Sequence, residues 1–279
     1  LSHIFECGQC FRWWGEADGS YTLAAMGKVI NVSRQGEQLI LHPASKEEFD
    51  TIWYSYFHLD QNYREIKKRL SQNDEIMKKA AAFGSGIRIL RQDPWETLIS
   101  FIISSNRGIP MIQKSIEDLS QRYGQYLGNY RGKEIYDFPK PEDLLNRSID
   151  EIKQAKTGYR AKYIVDTAAI VAEGQIDIYQ IKNLPTEEAR KTLMRMSGVG
   201  PKVADCILLF SMGKYDAFPI DTWVKRVMEY FYVPQGIPLN RLQAYAKERF
   251  GEDAGFAQQY LFYYARELGV GKGKTTKNF

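Results

Sequence analysis

The chain has 279 residues, of which 44% are hydrophobic and 26% are charged, and these proportions exclude a disordered polar chain. Its length allows two domains with their own cores, and its net charge of +4 permits nucleic-acid binding without indicating it. Three cysteines are too few for a disulfide scaffold.

The first 42 residues favour short strands separated by turn residues. Four β-prone runs, with glycine-containing turns between them, lie at Phe11–Trp14, Tyr21–Ala24, Lys28–Val32 and Leu39–Leu41. This alternation predicts an antiparallel meander. An amphipathic helix at Phe49–Phe57 and a second helical segment around Lys67–Lys79 follow, and we expect both to cover one face of the sheet.

Gly84-Ser-Gly86 predicts the boundary between a first domain, residues 1–84, and a second domain, residues 85–279, that is helical to its end. The second domain opens with Asp93, Pro94 and Glu96, which predict a helix start with a capping-box-like pair. Helical spacing recurs near residues 110–123, 141–155, 160–173, 186–196, 201–212, 221–232, 238–250 and 253–268. The basic tail Gly271–Phe279 is predicted to be frayed. The expected fold class is α+β.

Two of these helices, within residues 186–212, are predicted to form a helix-hairpin-helix joined by Gly198, Val199 and Gly200. Glycines let the backbone turn sharply and approach a ligand closely. Amide groups at the start of the second helix, aided by the helix dipole, then favour a phosphate. The structural alternative is a tight turn between helices with a solvated lysine beside it.

Lys202 lies in the first turn of the second helix of this hairpin. The helix dipole disfavours a cation there, so the position suits a site that needs a partly neutral amine. Asp221 follows 19 residues later, after Pro219, at the expected start of the next helix. It is either an ordinary N-cap or a functional carboxylate.

Several blocks resemble the helix-hairpin-helix, Gly-Pro-Asp superfamily of DNA glycosylases, and within it the 8-oxoguanine DNA glycosylases. The blocks are Gly8–Trp13, Asp93-Pro94 with Phe101–Asn106, Gly158–Tyr163, Gly198–Ile207 leading to Asp221, and Ala257-Gln258 with Phe262. They occur in the family's order and span nearly the whole chain. The resemblance implies an N-terminal antiparallel sheet domain resembling half of a TATA-binding fold, followed by an all-α helix-hairpin-helix glycosylase domain.

The resemblance also implies a catalytic pair. Lys202 corresponds to the amine that attacks the sugar C1′, and Asp221 to the carboxylate that stabilises the charge developing on the sugar. Monofunctional relatives lack such a lysine. Lys202 therefore predicts both base excision and strand cleavage, with no cofactor and no catalytic metal.

The resemblance assigns recognition of the flipped-out base to Gly8, Cys206, Gln258 and Phe262. 8-Oxoguanine carries N7–H where guanine has an acceptor, so one carbonyl placed there, that of Gly8, separates the two bases. Gln258 would read the Watson–Crick edge, and Cys206 and Phe262 would sandwich the base. Outside this motif, Cys206 and Phe262 would suit any helical core.

The remaining DNA contacts are assigned to Asn106, which fills the vacated stack, and to Tyr159 and Arg160 beside it. In the vertebrate-type pattern the following loop ends in an arginine that recognises the opposite cytosine by bidentate bonding. This chain has Met111 in its place, which predicts a weaker preference for opposite cytosine. Trp223 likewise replaces a phosphate-binding histidine of the family.

The sequence therefore predicts a monomeric, bifunctional 8-oxoguanine DNA glycosylase and AP lyase of base excision repair that acts on double-stranded DNA. One alternative is a glycosylase of this superfamily for another damaged base. The other is a non-catalytic DNA-binding module that uses the hairpin as a phosphate clamp. Borohydride trapping separates the three. A covalent adduct with 8-oxoguanine DNA that depends on Lys202 supports the first, an adduct only with other lesions supports the second, and binding without an adduct supports the third.

Cys7 and Cys10 have a spacing that also occurs in metal and redox sites. The sequence has neither a second cysteine pair nor a histidine cluster to complete a zinc site, and too few cysteines for an iron–sulfur cluster. It contains no apolar run of membrane-spanning length and no secretory signal pattern. We expect placement in the cytoplasm or nucleoid of a bacterium, or in the nucleus of a eukaryote. Because the sequence starts at Leu1, we expect native residues to precede it.

Overall fold

The structure, a computed structural model, describes residues 1–36 and 38–269, so the predicted basic tail Gly271–Phe279 lies outside it. Four antiparallel strands open the chain, and each pairs with the next in sequence. They are β1 (Trp13–Gly15), β2 (Tyr21–Ala25), β3 (Lys28–Gln35) and β4 (Gln38–His42). The predicted meander is confirmed.

Short helical pieces cover the apolar face of this sheet. They are α1 (Ser2–Phe5), α2 (Lys46–Glu48), a π-helical turn (Phe49–Trp53) and α3 (Tyr54–Tyr56). Trp53 and Phe57 pack against Leu23, Ile30 and Val32, all of them buried. The predicted helix at Phe49–Phe57 therefore does cover the sheet.

Helices form most of the remaining described chain. They are α4 (Tyr63–Ser71), α5 (Glu75–Phe83), α6 (Pro94–Ser104), α7 (Ile109–Tyr123), α8 (Pro141–Leu144), α9 (Ile149–Lys153), α10 (Arg160–Ala172), α11 (Thr186–Leu193), α12 (Pro201–Ser211), α13 (Thr222–Phe231), α14 (Leu239–Phe250) and α15 (Ala254–Glu267). The predicted fold class, a sheet domain followed by helices, is confirmed. No helix in the described part of the chain is long and apolar enough to cross a membrane.

The segment around Lys67–Lys79 does not cover the sheet, so that expectation is wrong. It forms two helices, α4 and α5, because the Asp74 side chain accepts a hydrogen bond from the Met77 amide at 2.9 Å and starts a new helix. Ile66 and Met77 lie in the core of the helical body, and α5 packs against α15. Amphipathic helices bury one face, but their pattern does not specify the surface that covers it.

A β-hairpin interrupts the region that was expected to be helical to its end. Its strands are β5 (Tyr126–Tyr130) and β6 (Lys133–Tyr136), which pair antiparallel. Arg131, in the turn between them, donates to Asp18 Oδ2 at 3.1 Å and so ties the hairpin to the N-terminal sheet domain. The aromatic content of this segment and its Arg131-Gly132 turn favour strands over a helix.

The start of α6 agrees with the sequence in its cap but not in its capping box. The Asp93 side chain accepts from the Glu96 amide at 2.9 Å, and Pro94 is the first helical residue. Glu96 does not bond back to Asp93. Its carboxylate lies 3.4 Å from the Arg12 guanidinium, and burial raises the pKa of Glu96 to about 7.

Candidate active site

Three helix termini meet at one cavity of about 570 Å³. They are the end of α6, the start of α12 and the start of α13. The cavity is lined by Ser104, Ser105, Asn106, Arg107, Gly198, Gly200, Pro201, Lys202, Val203, Asp221, Thr222, Trp223 and Arg226. The structure therefore brings together six residues that the sequence analysis singled out from separate segments: Asn106, Gly198, Gly200, Lys202, Asp221 and Trp223.

Lys202, the second residue of α12, lies between this cavity and the aromatic core. Its Nζ is 5.1 Å from the centre of the Phe101 ring. Cys206 lies one turn further along the same face of α12 and is buried. Burial raises the pKa of the Cys206 thiol to about 11, although the charge of Lys202 acts in the opposite direction. The amine is thus held between an aromatic face and a neutral thiol.

Asp221 is the N-cap of α13, and its Oδ1 accepts a hydrogen bond from the Val224 amide at 2.6 Å. The same side chain lines the cavity that contains Lys202. The two interpretations of Asp221, cap and functional carboxylate, are therefore compatible. The hydrogen bond at Oδ1 fixes the carboxylate at the cavity wall, and no hydrogen bond from the described residues occupies Oδ2.

The glycine hairpin between α11 and α12 is held by close packing. Gly198 has a φ of +80°, and a Cβ there would lie 2.7 Å from Tyr163 Cδ2, so both the turn and the packing require glycine. Val199 is buried, and its amide donates to the Met196 carbonyl at 3.2 Å. Gly200 faces open space. Within the described residues, the amides of Gly198 and Gly200 have no partner and are free to meet a phosphate.

Two of the residues assigned to the base, Gly8 and Phe262, are packed together. Gly8 has a φ of +86°, and a Cβ there would lie 3.6 Å from Phe262 Cε1, so the two residues are neighbours although they stand at opposite ends of the chain. Gln258 lies one turn before Phe262 on α15 and is 5% exposed, and its Oε1 has no partner within the described residues. Gly8, Cys206, Gln258 and Phe262 do not belong to the described lining of the 570 Å³ cavity.

Asn106 lies in the loop between α6 and α7 and has a φ of +53°. Behind it, the buried Arg160 donates to the Ser105 carbonyl, and its guanidinium lies 4.4 Å from the centre of the Tyr159 ring. Tyr159 is 60% exposed, and Met111, near the start of α7, is 45% exposed. Arg160 therefore supports the loop of Asn106, while Tyr159 and Met111 present apolar surface to solvent.

A metal site is not evident among residues 1–36 and 38–269, since no three His, Cys, Asp or Glu side chains are grouped to hold an ion. Cys7 and Cys10 are buried free thiols. Burial raises the pKa of Cys7 to about 12, and its Sγ donates to the Ile4 carbonyl at 3.3 Å. Cys7 packs in the core of the helical body and Cys10 in the core of the sheet domain.

Two family models match consecutive parts of the chain. The 8-oxoguanine DNA glycosylase N-terminal domain matches residues 1–98, and the HhH-GPD superfamily base excision DNA repair protein matches residues 99–250. The chain belongs to the 8-oxoguanine DNA glycosylase family. The helix-hairpin-helix, Lys202 and Asp221 all lie within the second match.

Named relatives of this glycosylase agree with that assignment. It is 36% identical to a probable N-glycosylase/DNA lyase of Methanothermobacter thermautotrophicus, over 81% of this chain and 76% of that protein. It is 30% identical to the N-glycosylase/DNA lyase of Saccharomyces cerevisiae, over 99% of this chain and 85% of that protein. The crystal structure of Clostridium acetobutylicum 8-oxoguanine glycosylase/lyase, with double-stranded DNA containing cytosine opposite 8-oxoguanine, matches with a TM-score of 0.94. Its sequence identity is 47%, over 97% of this chain and 92% of that chain.

Two cations at the cavity of this glycosylase were missed in the sequence analysis. Arg226 lines the cavity from α13, three residues after Trp223, a spacing that places these two side chains on the same face of the helix. Arg107 follows Asn106, and its Nη1 donates to Ser115 Oγ at 3.0 Å. Both are positioned to meet the backbone of a nucleic acid beside Lys202 and Asp221.

Proposed function

We propose that this chain excises 8-oxoguanine from double-stranded DNA and then cleaves the strand through a Schiff base on Lys202. The observation that carries the proposal is that Lys202 and Asp221 line the same cavity, beside the free amides of the hairpin and beside Asn106. The volume of this cavity, about 570 Å³, falls in the range of roughly 300–1,000 Å³ that small-molecule sites occupy. The chain acts as a monomer in this proposal.

The chemistry assigns one task to each member of the pair. The Nζ of Lys202 forms a bond to C1′ while the C1′–N9 bond breaks, and the base leaves with that electron pair and takes up a proton. The free Oδ2 of Asp221 stabilises the positive charge on the sugar. Opening of the sugar ring gives a Schiff base at C1′. Loss of a proton from C2′ then expels the 3′ phosphate and cleaves the strand.

Selection of the base is assigned to the residues around Gly8. The Gly8 carbonyl accepts from N7–H of 8-oxoguanine, whereas guanine places an acceptor opposite it and leaves both groups unsatisfied. Phe262, adjacent to Gly8, and the neutral thiol of Cys206 are the faces between which the base lies. The unpartnered Oε1 of Gln258 supports its role as the group that reads the Watson–Crick edge.

The opposite base is recognised weakly in this proposal. Met111 is exposed near the start of α7 and has no donor to offer a cytosine. Arg160 is buried and its guanidinium is committed to the Ser105 carbonyl. We therefore expect excision opposite adenine to approach the rate opposite cytosine.

A strand-nicking assay tests the proposed function. The wild-type protein is incubated with duplexes that contain 8-oxoguanine, another damaged base or no lesion, and is compared with Lys202→Gln. Lys191→Gln is the matched control, because Lys191 is an exposed lysine of α11 on the same hairpin. We expect nicking only of the 8-oxoguanine duplex, retained in Lys191→Gln and lost in Lys202→Gln. Nicking of another lesion alone favours a different glycosylase, and binding without nicking favours a phosphate clamp.

A further inference from the structure

Gln9, the residue after Gly8, has a buried side chain with a complete set of hydrogen bonds. It is 0% exposed. Its Nε2 donates to the carbonyls of Ile4 and Arg88, both at 2.8 Å, and its Oε1 accepts from the Leu90 amide at 2.9 Å. A fully satisfied buried amide of this kind fixes the backbone that carries it.

The backbone of Gln9 is connected to the helix that carries the catalytic lysine. The Gln9 carbonyl accepts from Gln92 Nε2 at 2.7 Å, and the backbone amide of Gln92 donates to the Phe210 carbonyl at 2.9 Å. Phe210 lies on α12, the helix that begins with Pro201 and Lys202. Two hydrogen bonds through one residue therefore set the spacing between the Gly8 segment and α12.

Gly8 itself is held from both sides but leaves its carbonyl available. On one side Cys7 Sγ donates to the Ile4 carbonyl, and on the other side Gln9 Nε2 donates to the same oxygen. The φ of +86° gives the Gly8 peptide an orientation that L side chains rarely adopt. No donor within residues 1–36 and 38–269 bonds to the Gly8 carbonyl.

From these contacts we infer that Gln9 is a positioning residue that sets the place of the Gly8 carbonyl relative to Lys202, and so determines selection of 8-oxoguanine. This inference rests on the proposed function. A single hydrogen bond distinguishes the two bases only when its acceptor is fixed in position, and a displacement of about 1 Å costs about 100-fold in rate. Gln9 touches neither base nor sugar in this account, and acts through the Gly8 peptide.

The test compares two reactions of the same protein. Excision of 8-oxoguanine requires the Gly8 carbonyl, whereas cleavage at a preformed abasic site requires Lys202 and Asp221 without any base. In Gln9→Glu, which keeps the acceptor for Leu90 but loses both donors, we expect single-turnover excision to fall about 10- to 100-fold. Cleavage at the abasic site is expected to stay within about twofold. A purely structural role would lower both rates together.

Two further variants keep the test decisive if Gln9→Glu folds poorly. Gln92→Leu removes only the hydrogen bond to the Gln9 carbonyl, and we expect the same selective loss of excision at a smaller size. Asn31→Ala is the matched control, because it removes a buried amide that bonds to Ser20 Oγ at 2.8 Å in the sheet, away from Gly8. Its ratio of the two rates is expected to equal that of the wild type.

The inference is overturned if excision and abasic cleavage fall in parallel in both glutamine variants, or if neither rate changes. Failure of the proposed function has a different signature, because the wild-type protein would then not release 8-oxoguanine at all. The two failures are thus distinguished by the wild-type measurement.

Discussion

The Nζ of Lys202 lies 5.1 Å from the centre of the Phe101 ring, and that ring stacks on Phe210 at 5.5 Å. Phe101 also meets the edge of Phe11, in the segment that carries Gly8, at 5.6 Å. One aromatic column therefore contacts the Lys202 amine, the helix that carries it and the segment that contains Gly8. In the proposed function this ring positions the amine and excludes water from one side of it.

Replacement of this ring tests its positioning role. Phe101→Leu keeps a large apolar side chain in the core but removes the flat face beneath the amine. We expect the single-turnover rate of cleavage at an abasic site to fall about tenfold, because the amine gains alternative orientations. Phe138→Leu changes a buried ring that makes no cation–π contact with Lys202 within the described residues, and is the control. An equal rate loss in both variants would contradict the positioning role.

Substitution of Asp221 separates its cap from its chemistry. Asparagine is as good an N-cap as aspartate, so Asp221→Asn should keep the hydrogen bond from the Val224 amide and the free energy of unfolding. Strand cleavage in this variant is expected to fall about 100- to 1,000-fold through loss of the charge. Asp221→Ala loses the cap as well, which should lower the free energy of unfolding by about 1 kcal/mol. Urea denaturation and single-turnover cleavage check both parts, and full activity of Asp221→Asn would refute the catalytic assignment.

The two hairpin glycines are expected to respond differently to a methyl group. Gly198→Ala combines a φ of +80° with a contact of 2.7 Å to Tyr163, and should cost about 2 kcal/mol or more of the free energy of unfolding. Gly200→Ala has an ordinary φ of −94° and open space, so stability should stay within about 0.5 kcal/mol. The affinity of Gly200→Ala for duplex DNA should fall, because the added methyl group stands beside the amide that meets the phosphate, and fluorescence anisotropy measures this affinity. Unchanged affinity in Gly200→Ala would remove the hairpin from the DNA contact.

His58 predicts a loss of stability in mild acid. It is 0% exposed, and its two ring nitrogens pair with the hydroxyls of Tyr63 and Tyr215 at 2.9 and 3.0 Å. Burial, aided by the charge of Arg91, lowers the pKa of His58 from 6.5 to about 4. The unfolded state therefore binds the proton first. The contribution of the neutral His58 ring to the free energy of unfolding is complete above pH 6.5 and is lost as the pH falls towards 4.

The measurement is urea denaturation between pH 7.5 and pH 4 for the wild-type protein and for His58→Gln. The wild-type free energy of unfolding should fall more steeply below pH 6.5 than that of the variant, which has no ring to protonate. Parallel curves would show that His58 does not supply this dependence.

Met111 is the residue that the proposal holds responsible for weak recognition of the opposite base. Met111→Arg introduces the planar donor pair that bonds to cytosine. We expect the ratio of excision rates opposite cytosine and opposite adenine to rise by about tenfold. Met111→Lys adds the same charge without the planar fork, so it should raise DNA affinity without changing this ratio. A wild-type protein that already strongly prefers cytosine would contradict the proposal.

Local signals in the sequence predicted where helices start more reliably than they predicted which distant residues those helices contact. Asp93 and Pro94 define the start of α6, and Pro201 that of α12, because these residues act on the backbone of their own turn. The partners of Glu96 and of helices α4 and α5 could not be predicted in this way. Arg12 is distant in sequence from Glu96, and an amphipathic pattern does not name the surface that it covers.

The candidate site shows the same difference between local features, which the sequence indicates, and contacts between distant segments, which it does not. Lys202 and Asp221 were predicted as a pair from the family resemblance, and both line one cavity, each at the start of a helix that the sequence marks. The contact between Gly8 and Phe262 joins opposite ends of the chain and was available only from the family resemblance. Arg226 was missed, since a lone arginine on an exposed helix face is an ordinary solvated residue until the fold places it beside Asp221.

The most direct test of the central claim is borohydride trapping on a duplex that contains 8-oxoguanine, followed by peptide mapping of the adduct. The proposed chemistry predicts one covalent complex, attached through Lys202, that is absent in Lys202→Gln and present in Lys191→Gln. An adduct attached through a different residue, or 8-oxoguanine release that continues in Lys202→Gln, would contradict it.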